Sequence, residues 1–143
     1  MTLGRGISLS HAEWIDSWGK IPYDEIAERE RLEVTDDWTR IPNSDLDRDN
    51  TAHLDPEGLR YFLPALMLRL LDGYEPIEMW CIGTISALVQ EWGHPRGFIE
   101  LLTPEQRSAV ALYVKELPNL VHLDKYDGPD IARAFRKLWS PFL

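Results

Sequence analysis

Apolar residues recur along this chain at the three- and four-residue spacing of helices almost throughout. Ser10-His-Ala-Glu13 reads as a capping box, in which the hydroxyl takes a backbone N–H while Glu13 reaches back. Trp14, Ile15 and Trp18 follow on one face, and Gly19 suits the position just past the helix end. Pro22 suits the first turn of a second, heavily charged helix marked by Tyr23, Ile26, Ala27 and Leu32. Residues 36–41 predict a short turn that buries Trp38, and residues 44–53 a polar loop.

Asp55-Pro56-Glu57 is the strongest helix start in the chain: an acceptor at the cap, a proline at the first position and an acid in the first turn. Leu59, Phe62, Leu63, Leu66, Met67 and Leu70 follow at helical spacing, and Tyr61, Pro64, Ala65 and Leu68 make the other side apolar as well. A helix apolar nearly all round belongs at the centre of a domain, and Pro64 should kink it or split it near Leu63. Residues 76–92 predict the next helix, with a stripe of Ile77, Trp80, Cys81, Thr84, Ile85, Leu88 and Trp92, stopped by Gly93 and Pro95. Phe98, Ile99 and Leu101 form a short element. Thr103-Pro-Glu-Gln106 is a second capping box, opening a helix lined by Val110, Tyr113, Val114 and Leu117 and ended by Pro118. Gly128-Pro-Asp130 opens a last helix with Ile131, Phe135, Leu138 and Trp139 on one side. Strand signals are nearly absent. The expectation is an all-α, compact single-domain bundle of about six helices over residues 1–143. Its proline-kinked central helix, 55–72, should be packed by 76–92 and 104–117.

Composition narrows the class. The 143 residues are 44% apolar and 27% charged, which suits a globular domain and excludes a disordered or collagenous chain. A single cysteine, Cys81, excludes an intramolecular disulfide and any multi-cysteine zinc site. No long apolar run suits a signal sequence or a membrane span, so the expected location is cytoplasmic and away from membranes. The formal charge of −9 suits nucleic acid poorly. All of that charge sits in residues 13–57, where 14 acids face five bases, while the rest of the chain is neutral. The chain therefore reads as an acidic front third (13–57) and a neutral helical core (58–143). Such a front is either a solvated face or a docking surface for a basic partner.

Chemistry is sparse. Asp45, Asp47 and Asp49 alternate like the first ligands of a calcium loop, but Asn50 stands where glycine is needed and Pro56 where the bidentate glutamate belongs. His11, His53, His94 and His122 form no i, i+4 pair. Cys81 reads as a small core hydrophobe, and Gly4-Arg-Gly6 as a flexible terminus rather than a phosphate loop. No catalytic, cofactor-binding or metal-ligating residue is assigned. Six tryptophans stand out. Trp80, Trp92 and Trp139 fit core stripes, whereas Trp14, Trp18 and Trp38 lie among acids. There they would either staple acidic helices to the core or anchor an arginine-rich partner.

The segment Leu54-Asp-Pro-Glu-Gly-Leu-Arg-Tyr-Phe-Leu-Pro-Ala-Leu66, with the Leu102-Thr-Pro-Glu-Gln106 helix start and the stretch from Trp38 to Asp49, resembles an uncharacterised bacterial family built on a domain of unknown function. The likeness covers about residues 21–117, and Tyr-Phe-Leu-Pro-Ala is its most specific part. It implies a small all-helical protein, with no known activity and no catalytic residues. The expected function is a non-enzymatic protein-binding module, in concrete form an immunity- or antitoxin-like inhibitor of a basic partner. Its contact residues would be Trp38, Asp36, Asp37, Asp45, Asp47 and Asp49. The alternative is a small metal-dependent or hydrolytic enzyme using the carboxylates between Asp45 and Glu57.

Overall fold

The structure, a computed structural model, describes residues 1–47, 53–90 and 97–143. Eight α-helices stand among them: α1 (Leu9–Asp16), α2 (Tyr23–Leu32), α3 (Asn43–Leu46), α4 (Pro56–Asp72), α5 (Met79–Val89), α6 (Phe98–Leu101), α7 (Pro104–Leu120) and α8 (Asp127–Ala134). A 3-10 turn (Trp38–Arg40) precedes α3. A π-helical turn (Phe135–Trp139) and a second 3-10 turn (Ser140–Phe142) follow α8. No strand occurs among the described residues. The fold is all-helical, as expected, but eight helices replace about six. The excess is α3 and α6, four residues each, one turn apiece and too short to repeat an apolar spacing; α6 is the short element expected at residues 98–101, and α3 opens the stretch expected as a polar loop.

Local chemistry explains most boundaries. The Asp55 carboxylate caps α4 by accepting from Gly58 N, and Thr103 and Gln106 complete the capping box of α7. At α1 the cap is Ser8, which accepts from His11 N, and Ser10 lies inside the helix, fully buried. The helix starts two residues earlier than the capping-box pattern suggests, and Leu9 and Ala12 supply its buried face. It also ends earlier, at Asp16, with Trp18 and Gly19 both at positive φ beyond it. Helix α5 begins at Met79 rather than at Pro76 and is capped by Gln90 in the left-handed region. The expected stop at Gly93 and Pro95, together with Trp92 and His94, lies outside the described residues.

Two prolines stand inside helices. Helix α4 runs through Pro64 without splitting at Leu63, and α7 continues past Pro118 to Leu120. Each proline removes one backbone bond. In α4 that loss is offset by full burial of Leu59, Phe62, Leu63, Leu66 and Leu70, each contributing about 1.5–3 kcal/mol. In α7 the Val121 N–H still donates to the Leu117 carbonyl and closes the last turn.

One contiguous buried cluster runs from Leu3 to Trp139 and takes residues from every helix but α2. Helix α4 lies at its centre against α3, α5, α6 and the Trp38 turn. Of the expected apolar other side, Tyr61 and Ala65 are buried but Leu68 is exposed, as is Leu71. Helix α7 packs chiefly on α8 and the C-terminal turns, and reaches α4 through Tyr113, whose hydroxyl donates to the Met67 carbonyl. Trp139 is fully buried, with its indole N–H donating to the Leu88 carbonyl of α5. Of the two N-terminal glycines expected to be flexible, Gly4 is exposed and Gly6 is closely packed. Leu3 N donates to Thr35 O, and Gly6 lies so close to Gly58 that a side-chain carbon there would stand 2.7 Å from the Gly58 nitrogen. No helix among the described residues is long and apolar enough to cross a membrane.

Candidate functional site

Helices α1 and α2 pack against each other, and the turn between them carries the most exposed tryptophan among the described residues. Trp18 is 92% exposed and sits at φ 55°, a left-handed conformation that side chains rarely adopt. Ile15 on the preceding turn is also exposed, and so is Tyr23 at the start of α2. Tyr23 is held edge-on against the half-buried Trp14, with ring centroids 5.8 Å apart. The expected single face of Trp14, Ile15 and Trp18 is thus divided: Trp14 turns inward and the other two face solvent. Only Ile26 of the expected apolar stripe of α2 is buried, while Tyr23, Ala27 and Leu32 are exposed.

The acids around this turn are largely engaged within the fold. Arg29 holds Glu13 at 3.0 Å and Glu25 at 2.7 Å, and Arg31 holds Glu28 at 2.6 Å. Glu30 accepts from the Ser8 hydroxyl and Glu33 from the Ser10 N–H, which ties α2 to α1. Asp16 lies 3.0 Å from His53 Nε2, and Asp24 is exposed. Formal charge therefore overstates how bare the front third is.

The residues expected to form the contact set divide among several roles. Trp38 is half-buried and packs on the core, between two clefts. Asp36 is exposed. Asp37 caps the 3-10 turn, accepting from the Thr39 hydroxyl and N–H, and those bonds hold its carboxyl below the usual range. Asp45 is half-buried on α3. Asp47 accepts from Arg69 Nε at 3.1 Å, and that guanidinium lies 4.6 Å from the Trp80 ring centroid. Asp49 lies outside the described residues. Among the carboxylates of the alternative reading, Asp55 is occupied as a cap, accepting from both Ile7 N and Gly58 N at 2.8 Å. Among the described residues, no three His, Cys, Asp or Glu side chains are placed to hold one metal ion. Cys81 is buried, and burial pushes its thiol up to about 11, away from the thiolate a nucleophile needs.

The two clefts differ in chemistry. One, of about 360 Å³, lies between the Trp38 turn, α3 and α4 and includes Arg69 and Asp72. The other, of about 420 Å³, lies between Trp38, α4 and α7 and includes Arg60 but, among the described residues, no Asp or Glu. Sequence reasoning did not single out Arg60 or separate Trp18 from the other tryptophans. Arg60 is the one charged residue in the run from Gly58 to Leu68 of α4, which was the available signal. Nothing in the spacing marks Trp18 as the residue that leaves the helix in a left-handed turn.

No curated protein and no solved structure matches this chain. Residues 1–142 match the model of the family of unknown function designated DUF6714, and the chain belongs to that family.

Proposed function

We propose that this chain is a protein-binding module whose docking surface is the α1–α2 turn. Its partner presents a basic, apolar-pocketed face, as the target of an immunity- or antitoxin-like inhibitor would. The observation that carries the reading is Trp18, 92% exposed at a positive φ. A large ring held in solvent by an uncommon backbone conformation gains nothing for folding, whereas tryptophans desolvated at interfaces dominate binding energy. Ile15 and Tyr23 extend the apolar area, and the acidic front third supplies peripheral charge. Trp38, packed on the core, is here a support rather than an anchor. Asp36, Asp37, Asp45 and Asp47 act at the periphery, through encounter rather than hold.

The test is affinity capture from the native host with the parent chain, Trp18→Ala and Trp38→Ala as baits. A basic protein held by the parent and lost with Trp18→Ala is the expected result. A partner whose retention ignores Trp18, or an acidic partner, overturns the reading.

A further inference from the structure

We infer that the cleft between Trp38, α4 and α7 binds a small amphipathic monocarboxylate, with the carboxylate on Arg60 and the hydrocarbon against Leu63, Met67 and Val110. Its volume of about 420 Å³ lies in the roughly 300–1,000 Å³ range of small-molecule sites. Its wall is mostly apolar: Trp38, Leu63, Pro64, Met67 and Val110 all contribute.

The polar groups on that wall are donors. Arg60 is partly buried, its Nε is fully enclosed, and that nitrogen has no acceptor among the described residues. The contrast with the other arginines is sharp. Arg29, Arg31, Arg69 and Arg133 each hold a carboxylate, and Arg107 donates to the Ile99 and Glu100 carbonyls. Arg5, Arg40 and Arg136 are exposed and solvated. Among the described arginines, Arg60 alone has an enclosed guanidinium nitrogen without a partner, in a chain with 24 acids. An enclosed N–H left without an acceptor is costly, and an anion held by the guanidinium would offset that cost. Gln106 lies on the same wall and spends its side-chain oxygen on the Thr103 N–H, which leaves its amide N–H groups as donors. No acid among the described residues lines the cleft, which favours an anion over a cation. Apolar wall, one cation and a second donor match a carboxylate with a hydrocarbon body.

The three methionines provide the readout. Met1 and Met67 line the cleft, and Met79 lies on α5 outside it. With methyl-labelled methionine, sodium octanoate should shift the Met67 signal saturably, with a Kd of about 1 mM or tighter, and leave Met79 still. Octanamide should bind about tenfold more weakly, as should octanoate to Arg60→Gln, because each loses the charge-assisted pair. Ala109→Trp, at an exposed lining position, should abolish the shift by filling the mouth. Should Arg60→Gln fail to fold, as judged by circular dichroism, the octanamide and Ala109→Trp arms decide. Absence of a saturable Met67 shift, equal binding of octanamide and octanoate, or full binding by Ala109→Trp overturns the proposal.

Discussion

Gly58 stands where the N-terminal segment crosses the first turn of α4. A side-chain carbon at this position would lie 2.6 Å from the Ile7 carbonyl oxygen and 2.9 Å from the capping oxygen of Asp55. Both neighbours are fixed, one as backbone and the other by two hydrogen bonds. Gly58→Ala should therefore destabilise the fold by about 1–3 kcal/mol despite alanine's higher helix propensity, and urea melts check the sign. The sequence identified Asp55 as a cap because the capping pattern is local. It could not reveal that the same carboxylate also receives the Ile7 N–H, because that contact joins residues 48 apart. A second residue-scale effect lies at Asp127, which accepts from the Tyr74 hydroxyl. Burial outweighs that bond and raises the Asp127 carboxyl above its usual value. The folded state then holds this proton more tightly than the unfolded state does. Its contribution to stability is fully present below the ordinary carboxylate range and falls as pH rises through the raised value. Asp127→Asn removes the titration and keeps an acceptor for Tyr74. Its stability relative to the parent should improve between about pH 3 and about pH 7, and a difference that stays constant across that range would refute the assignment.

At the scale of elements, the six longer helices were legible, α6 was legible only as a short element at residues 98–101, and α3 was not. A periodic stripe needs at least two turns to declare itself, and α3 and α6 have one. Pro64 does not split its helix, and the stop expected at Pro118 comes two residues later, after Leu120. Pro64 removes one bond from a helix whose burial sustains it, and Pro118 falls in a last turn that closes at Val121. Helix α2 shows a different limit. Its apolar residues suggest a stripe, yet Ile26 is its only buried side chain, and polar links from Glu30 and Glu33 to α1 complete the attachment. Ile26→Ala should loosen α2 selectively, at a cost of about 2–5 kcal/mol if the whole fold depends on it. Amide exchange separates the cases. Faster exchange confined to residues 23–32 marks α2 as a local unit, while a uniform increase across α4 and α7 marks it as part of the global fold. The candidate docking surface was legible only in part, for the same reason. The run of tryptophans among acids is visible in the sequence, but the choice between staple and anchor depends on which face each ring takes. Trp14 is drawn in by Tyr23 and His11, and Trp18 is turned out by its backbone.

For the molecule as a whole, the charge distribution sets two salt dependences of opposite sign. Residues 13–57 hold 14 acids and five bases, so long-range repulsion within the front third outweighs attraction. The short-range pairs Arg29–Glu13, Arg29–Glu25 and Arg31–Glu28 are at least partly exposed and contribute little each. Raising salt shortens the screening length from about 30 Å at 0.01 M to about 8 Å at 0.15 M, which removes repulsion across the front third before it weakens pairs in contact. The melting temperature should therefore rise over this interval. Association with a basic partner should respond the other way, because screening weakens the attraction that steers encounter. The association rate should fall with salt while dissociation, governed by the Trp18 anchor, changes little. Asp16→Asn combined with Asp24→Asn should lower the association rate and its salt slope together. Trp18→Ala should leave the slope intact and speed dissociation. A melting temperature that falls with salt would mean that the internal ion pairs dominate, and the front third would then be a folded network rather than a field turned toward a partner.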